Sequence, residues 1–349
     1  MKKLITLVTI ASSFNAISGT WDNIKPSADF RYRYENYTDK YTTDADKASR
    51  SHQRLQARVG LAYDLDEVSA INIRLATAGK ATSTNDDIGD NNGVSYGDAS
   101  AVYFDRAYLS HKAGDIKVNM GRMGNQFFKA GNNQLTWDSD INFEGIYAGY
   151  SKMGAYLNLA SYWIAEDKAT NEDVVLNSSQ IGYEGSAGMI GYNVGVSGYH
   201  YQNAHAQNFA STNEGLNLLE TYLELKFDLK MPVMFFVSMV TNTEAEDDNK
   251  ANIFGIEVGK TKAKGSWKVG INSRVIELNS VYKNFMDGDF AGKNTDSSGT
   301  VAYAKYMVSD KAYVSLGLFN NTINVDEKLD PSKDAEAYTK LHVDYGVKF

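Results

Sequence analysis

Hydrophobic and polar residues alternate along most of this chain. From Tyr338 to Phe349, Thr339, Leu341, Val343, Tyr345, Val347 and Phe349 share one parity, while Lys340, His342, Asp344, Gly346 and Lys348 share the other. A period of two describes a β-strand whose two faces meet different media. The pattern recurs from the start. Ala28 to Tyr37 sets Phe30, Tyr32 and Tyr34 against Asp29, Arg31, Arg33 and Glu35. His52 to Tyr63 sets Leu55, Val59, Leu61 and Tyr63 against Arg54, Gln56 and Arg58. A third strand opposes Ile71, Ile73 and Leu75 to Asn72 and Arg74, and Ile116, Val118 and Met120 alternate with Lys117 and Asn119. Leu219 to Asp228 alternates most cleanly, with Glu220, Tyr222, Glu224 and Lys226 on the polar side.

Two stretches resist the pattern. Asp105 and Arg106 are adjacent charges within a strand near Val102 to Lys112, and they share a face only if a bulge intervenes. Val233 to Val240 is nearly all apolar, so its facing is open, a subunit contact being one reading. Further strands are expected at 146–150, 156–163, 179–184, 190–199, 254–258, 267–275, 301–308 and 313–319. About sixteen strands result, with fourteen or eighteen also compatible, and tight turns such as Asp64 to Glu67 alternate with long polar loops. No boundary divides the series into domains.

Composition narrows the medium. Mean hydropathy is −0.40, and no stretch after the first residues is apolar enough for a membrane helix, whereas a barrel shows lipid only every second residue. The chain has no cysteine, so thiolate metal sites and thiol nucleophiles are excluded, and its three prolines suit a strand-rich fold. Tyrosine, at 23 residues, exceeds phenylalanine and tryptophan together, as expected of aromatic belts at membrane interfaces. A net charge of −8 argues against nucleic acid as a partner. The amino terminus reads as a secretory signal: basic Met1-Lys2-Lys3, a short apolar run from Leu4 to Ala11, and small residues permitting cleavage after Ser18, with Ala16 and Ser13 as alternatives. Residues 1–18 are thus expected to be a signal peptide and 19–349 the mature domain.

The final strand resembles the assembly signal of bacterial outer-membrane β-barrels, carried by Tyr345, Val347 and the terminal aromatic Phe349. A second resemblance lies in the stretch from Gly121 to Tyr150. Gly121-Arg122 at a strand end, a long third loop with Trp137-Asp138-Ser139-Asp140, and Gly145 downstream look like the "putative porin" family of Gram-negative bacteria. The resemblance implies a transmembrane antiparallel β-barrel of about 16 strands with an inward-folded third loop. It also implies a constriction at Arg122, Asp138, Asp140 and Glu144. Location in the outer membrane, contact with its lipid and lipopolysaccharide, insertion by the barrel-assembly machinery and a homotrimer follow from the same resemblance. The loop's acids also fit an ordinary solvated surface loop.

Arginine placement speaks to a pore independently. Arg31, Arg33, Arg54, Arg58 and Arg74 share the polar parity of three adjacent strands. Charge is costly against lipid and tolerated in a wet lumen, so these five form a basic wall, or pair with Asp29 and Glu35, or both. The five histidines show no zinc-ligand spacing. The acidic groups Asp86/Asp87/Asp90 and Glu244/Glu246/Asp247/Asp248 lack a calcium-loop spacing. His342 has no nucleophile motif beside it, and neither metal, cofactor nor catalysis is expected. The function implied is passive diffusion of small hydrophilic solutes and ions. A substrate-specific channel and a structural or adhesive barrel are the alternatives.

Overall fold

The computed structural model describes residues 21–40, 49–77, 83–88, 102–166, 172–204 and 215–349; the expected signal peptide lies outside them. A single antiparallel sheet closes on itself. Its strands are β1 (Ile24–Asp39), β2 (Ser49–Asp64), β3 (Ser69–Thr77), the two-residue β4 (Asp86–Asp87), β5 (Val102–Ala113) and β6 (Ile116–Gly124). There follow β7 (Asn142–Lys152), β8 (Ala155–Ala165), β9 (Val174–Ala187), β10 (Ile190–Gln202), β11 (Leu216–Phe227) and β12 (Val233–Asn242). The set ends with β13 (Lys250–Gly259), β14 (Trp267–Ile276), β15 (Ser297–Met307), β16 (Ala312–Ile323) and β17 (Glu336–Lys348). Apart from β4, which covers part of β2 by pairing Asp87 with Arg54, these are sixteen barrel strands.

Closure uses the two ends of the sheet. β17 pairs with β1 from Asp29↔Lys348 to Asp39↔Tyr338. The Phe349 amide then donates to the Ala28 carbonyl at 3.0 Å, and the Ala28 amide returns the bond at 2.8 Å. No described barrel strand is left as a free edge, which removes the unpaired backbone groups that lipid cannot satisfy.

Burial follows the sequence alternation. Glu220, Tyr222 and Glu224 of β11 are buried while Leu219 and Thr221 are exposed. Outward residues such as Ile181 (63 % exposed) and Phe254 (61 %) form an apolar outer surface. Near the short turns it carries aromatics: Trp267 lies opposite Tyr306, and the Tyr183 and Tyr192 rings stack at 6.2 Å. Apolar rings with polar tips suit the lipid–water boundary.

Both ambiguous stretches resolve. The β3–β5 register passes from Arg74↔Arg106 to Leu75↔Phe104, skipping Asp105, which is the bulge the two adjacent charges required. In β12, Phe235 and Met239 are exposed whereas Phe236 and Val240 are buried within the same chain. The strand is apolar on both faces because its inner face also meets apolar neighbours.

Candidate pore-lining site

Two long connections meet one another and the inward-parity side chains of the sheet. The first, 125–141, joins β6 to β7. Phe128 and the Gln180 side chain exchange amide hydrogen bonds, both at 2.9 Å. The Gly131 amide donates to Glu224 Oε2 at 2.7 Å. Gly131 has φ +61°, and a Cβ there would stand 2.4 Å from Phe236 Cγ, so only glycine fits. Trp137 is fully buried, its ring 4.5 Å from Tyr199, 5.0 Å from Phe143 and 5.7 Å from Phe127 between centroids. An aromatic cluster of this kind anchors a loop far more firmly than its few polar bonds.

The second connection, 277–296, joins β14 to β15, and sequence patterning did not single it out. Val281, Met286 and Phe290 are buried. A signal existed, since Tyr282, Phe285, Met286 and Phe290 are too apolar for a solvated loop tip. The two connections are joined through backbone: the Asp138 amide donates to the Phe285 carbonyl at 2.6 Å, and the Asp287 amide to the Gln134 carbonyl at 3.1 Å. Gly288 N donates to Asp138 Oδ2 at 3.2 Å, and the Phe143 and Phe285 rings meet at 5.6 Å. Arg274 of β14 fixes the second connection, donating to Asp287 at 2.7 Å with its guanidinium 4.9 Å from the Phe290 ring centroid.

Between this joined pair and strands β1 and β2 lies a cavity of about 520 Å³ whose lining includes Arg31, Arg33, Arg54, Asp138, Asp140 and Asp289. Lys340 and Lys293 reach the same space. A second cavity of about 310 Å³ adjoins it through the shared residues Arg33, Gln134 and Asp287. Four of the five wall arginines are ion-paired. Arg33 meets both oxygens of Asp344, Nε at 2.6 Å and Nη2 at 3.0 Å, and lies 3.3 Å from Glu35. Arg54 is 2.6 Å from Asp87, Arg58 is 2.9 Å from Asp29 and 3.8 Å from Asp140, and Arg74 contacts Asp105. Arg31 instead contacts the neutral Asn85 side chain. Glu35 is the hub, within 3.4 Å of His52 and Arg54 and 3.3 Å of Lys340.

Asp138 of the first connection and Asp289 of the second are driven in opposite directions. Burial, then the Asp287 and Asp140 charges, pushes Asp138 up to about 7. Burial also opposes ionisation of Asp289, but Lys340, His342 and Arg33 outweigh it and hold that carboxyl well below the usual range. Glu35, Asp289 and His342 offer potential metal-ligand atoms within 4.8 Å of one another. Lys340 Nζ, 2.7 Å from Asp289 and 3.3 Å from Glu35, already takes the place of a cation there.

Arg122 and Glu144 are not brought to this cavity. They face each other across the β6–β7 ladder and pair at 2.5 Å. Arg122 has the parity of the exposed Met120, and Glu144 that of the exposed Ile146, while the intervening Met123 and Phe143 are buried. Strand alternation persists to Gly124, so the strand does not end at Arg122 and its side chain points outward. Their inclusion in the constriction is therefore corrected. Tyr345 and Phe349 lie exposed on the outward parity that Val347 shares.

Comparison with known proteins agrees with the architecture. The chain superposes on OprB of Pseudomonas putida with a TM-score of 0.62 at 11% identity, covering 94% of each chain. A mutant of the Rhodopseudomonas blastica porin gives 0.55 at 11% identity, covering 93% of this chain and 100% of that one. OmpT of Vibrio cholerae, an outer-membrane protein, gives 0.51 at 12% identity over 93% and 97%. No curated protein matches the sequence. Identities this low speak for the fold alone, but a family model described as putative porin matches residues 13–232. The chain is a member of that family, an outer-membrane β-barrel channel.

Proposed function

We propose that the barrel is a passive pore for small hydrophilic solutes and ions, with its constriction built from 125–141 and 277–296 folded into the lumen. The observation carrying this reading is the charged cavity of about 520 Å³ between the joined connections and the arginines of β1 and β2. Arg31, Arg33 and Arg54 line one side, and Asp138 and Asp140 the other. Opposed charges of fixed position orient a permeating dipole, while the paired arginines keep the wall rigid. Arg58 and Arg74 extend the basic wall beside it.

Association into trimers, contact with lipopolysaccharide and insertion by the barrel-assembly machinery belong to the same proposal. The outward Arg122–Glu144 pair fits a covered outer surface better than bare lipid, since charge against lipid is costly. Single-channel recording of purified protein in a planar bilayer tests the reading. Stable, ohmic conductance steps are expected, and a barrel that inserts without passing current would overturn it.

A further inference from the structure

Ion pairing divides the cationic wall into two kinds of residue. Arg33, Arg54, Arg58 and Arg74 each have a carboxylate partner, as do Lys340 (Asp289, 2.7 Å), Lys268 (Glu257, 2.7 Å) and Arg274 (Asp287, 2.7 Å). A close pair acts at a distance as a dipole, and its field falls off quickly in water. Among the described residues, no carboxylate lies within ion-pair reach of Arg31 or Lys305. Arg31 donates to the Asn85 side-chain oxygen, and its Nε has no hydrogen-bond partner. Lys305 Nζ sits 3.5 Å from the centroid of the Tyr313 ring, a contact that brings no counter-charge to it.

These two cations are joined by the wall itself. Arg31 on β1 and Tyr313 on β16 both lie opposite Gly346 of β17. The Tyr313 ring covers that glycine so closely that a Cβ would stand 2.3 Å from Tyr313 Cζ. Lys305 caps the same ring from β15, so Arg31, Tyr313 and Lys305 form one continuous segment of lining. Arg31 borders the larger cavity and Lys305 the smaller. The acids of the smaller cavity, Glu257, Asp287 and Asp344, are all spoken for by Lys268, Arg274 and Arg33. Once neighbours cancel, the charge remaining along the segment through both cavities is positive.

We propose that Arg31 and Lys305 are the selectivity residues of the pore, forming two successive subsites that take small carboxylates and, with them, inorganic anions. The Arg31 guanidinium, at the border of the larger cavity, offers a charged donor to a carboxylate oxygen, and the Lys305 ammonium offers freely rotating donors for the next stage. Two moderate sites in series bind strongly enough to admit an anion and weakly enough to release it. The inference rests on the proposed pore reading and names its solute class.

The test is bilayer recording of the full-length protein with chloride and acetate as probes. In a potassium chloride gradient, the reversal potential of the native channel should lie on the chloride side. Acetate added at fixed chloride should reduce the chloride current saturably. Arg31→Gln with Lys305→Gln should move the reversal potential toward potassium and abolish the acetate effect. Arg31→Lys with Lys305→Arg, which keeps both charges, should retain the chloride preference; heat-modifiable migration checks that each variant is folded. A conducting, folded double-Gln channel with the native reversal potential would overturn this inference and leave the pore reading intact. A folded native barrel that passes no current would overturn the pore reading, and this one with it.

Discussion

Arg33 and Asp344 face each other directly across the β1–β17 junction, with Nε–Oδ1 at 2.6 Å and Nη2–Oδ2 at 3.0 Å. The pair is buried and sits where the first and last strands join, so it fastens the one contact that closes the sheet. Replacing Arg33 by Gln would leave Asp344, Glu35 and Asp289 short of a cation together. Loss of one partner from a buried pair costs about 3–5 kcal/mol. Arg33→Gln should therefore lower the urea midpoint of the folded barrel, and an unchanged midpoint would show that the pair is not structural.

Phe349 extends the same junction by one residue through its two backbone bonds to Ala28. Deleting it should reduce the yield of heat-modifiable barrel in outer-membrane fractions, with Tyr345→Ala and Val347→Ala giving smaller losses. Equal yields from native and deleted chains would count against an assembly role for this end.

Because the chain has no cysteine, single cysteines can report on the cavity without background. Asp140→Cys and Asp138→Cys should react with small charged thiol reagents and lower the single-channel current as the label enters the path. Labelling without any change of current would remove 125–141 from the constriction.

Asp138 brings a pH dependence to the contact between the two connections. Its carboxyl is pushed from an ordinary 3.8 to about 7, so the joined state keeps a proton that a solvent-exposed Asp138 would release. Protonation then favours the joined state, fully so below about pH 4, and the advantage is lost as pH rises through about 7. Open-channel current noise should grow over that interval, and Asp138→Asn should flatten the profile. The same pH profile in the Asn variant would assign it to another group.

Legibility of the sequence followed physical contrast between the two faces. In β11, Glu220 and Glu224 alternate with Leu219 and Leu223, and parity alone assigned every side chain. In β12 the contrast vanishes, because Phe236 turns inward to meet Gly131 rather than water. The bulge at Asp105 was readable because two adjacent charges cannot both avoid lipid otherwise. Arg122 and Glu144 were misplaced by giving a motif more weight than strand parity, which already set Arg122 with Met120. Parity set the arginines on the polar face, but which of them would be paired was not readable, since Asp87, Asp105 and Asp344 lie on strands that only the folded sheet brings alongside. The role of 277–296 stayed hidden for a related reason: it lacks a period, and only its density of aromatic residues marks it.

The two joined connections leave the wall after the fifth and thirteenth barrel strands, half the circumference of sixteen apart. In the proposed constriction, where both connections fold into the lumen, their backbone bonds act across the cylinder as a tie rod acts across a vessel. A thin cylinder under lateral bilayer pressure yields first by flattening into an ellipse, and a tie across one diameter resists stretch along that axis. Through that tie, a change in lipid packing would reach the carboxylates at its midpoint as tension.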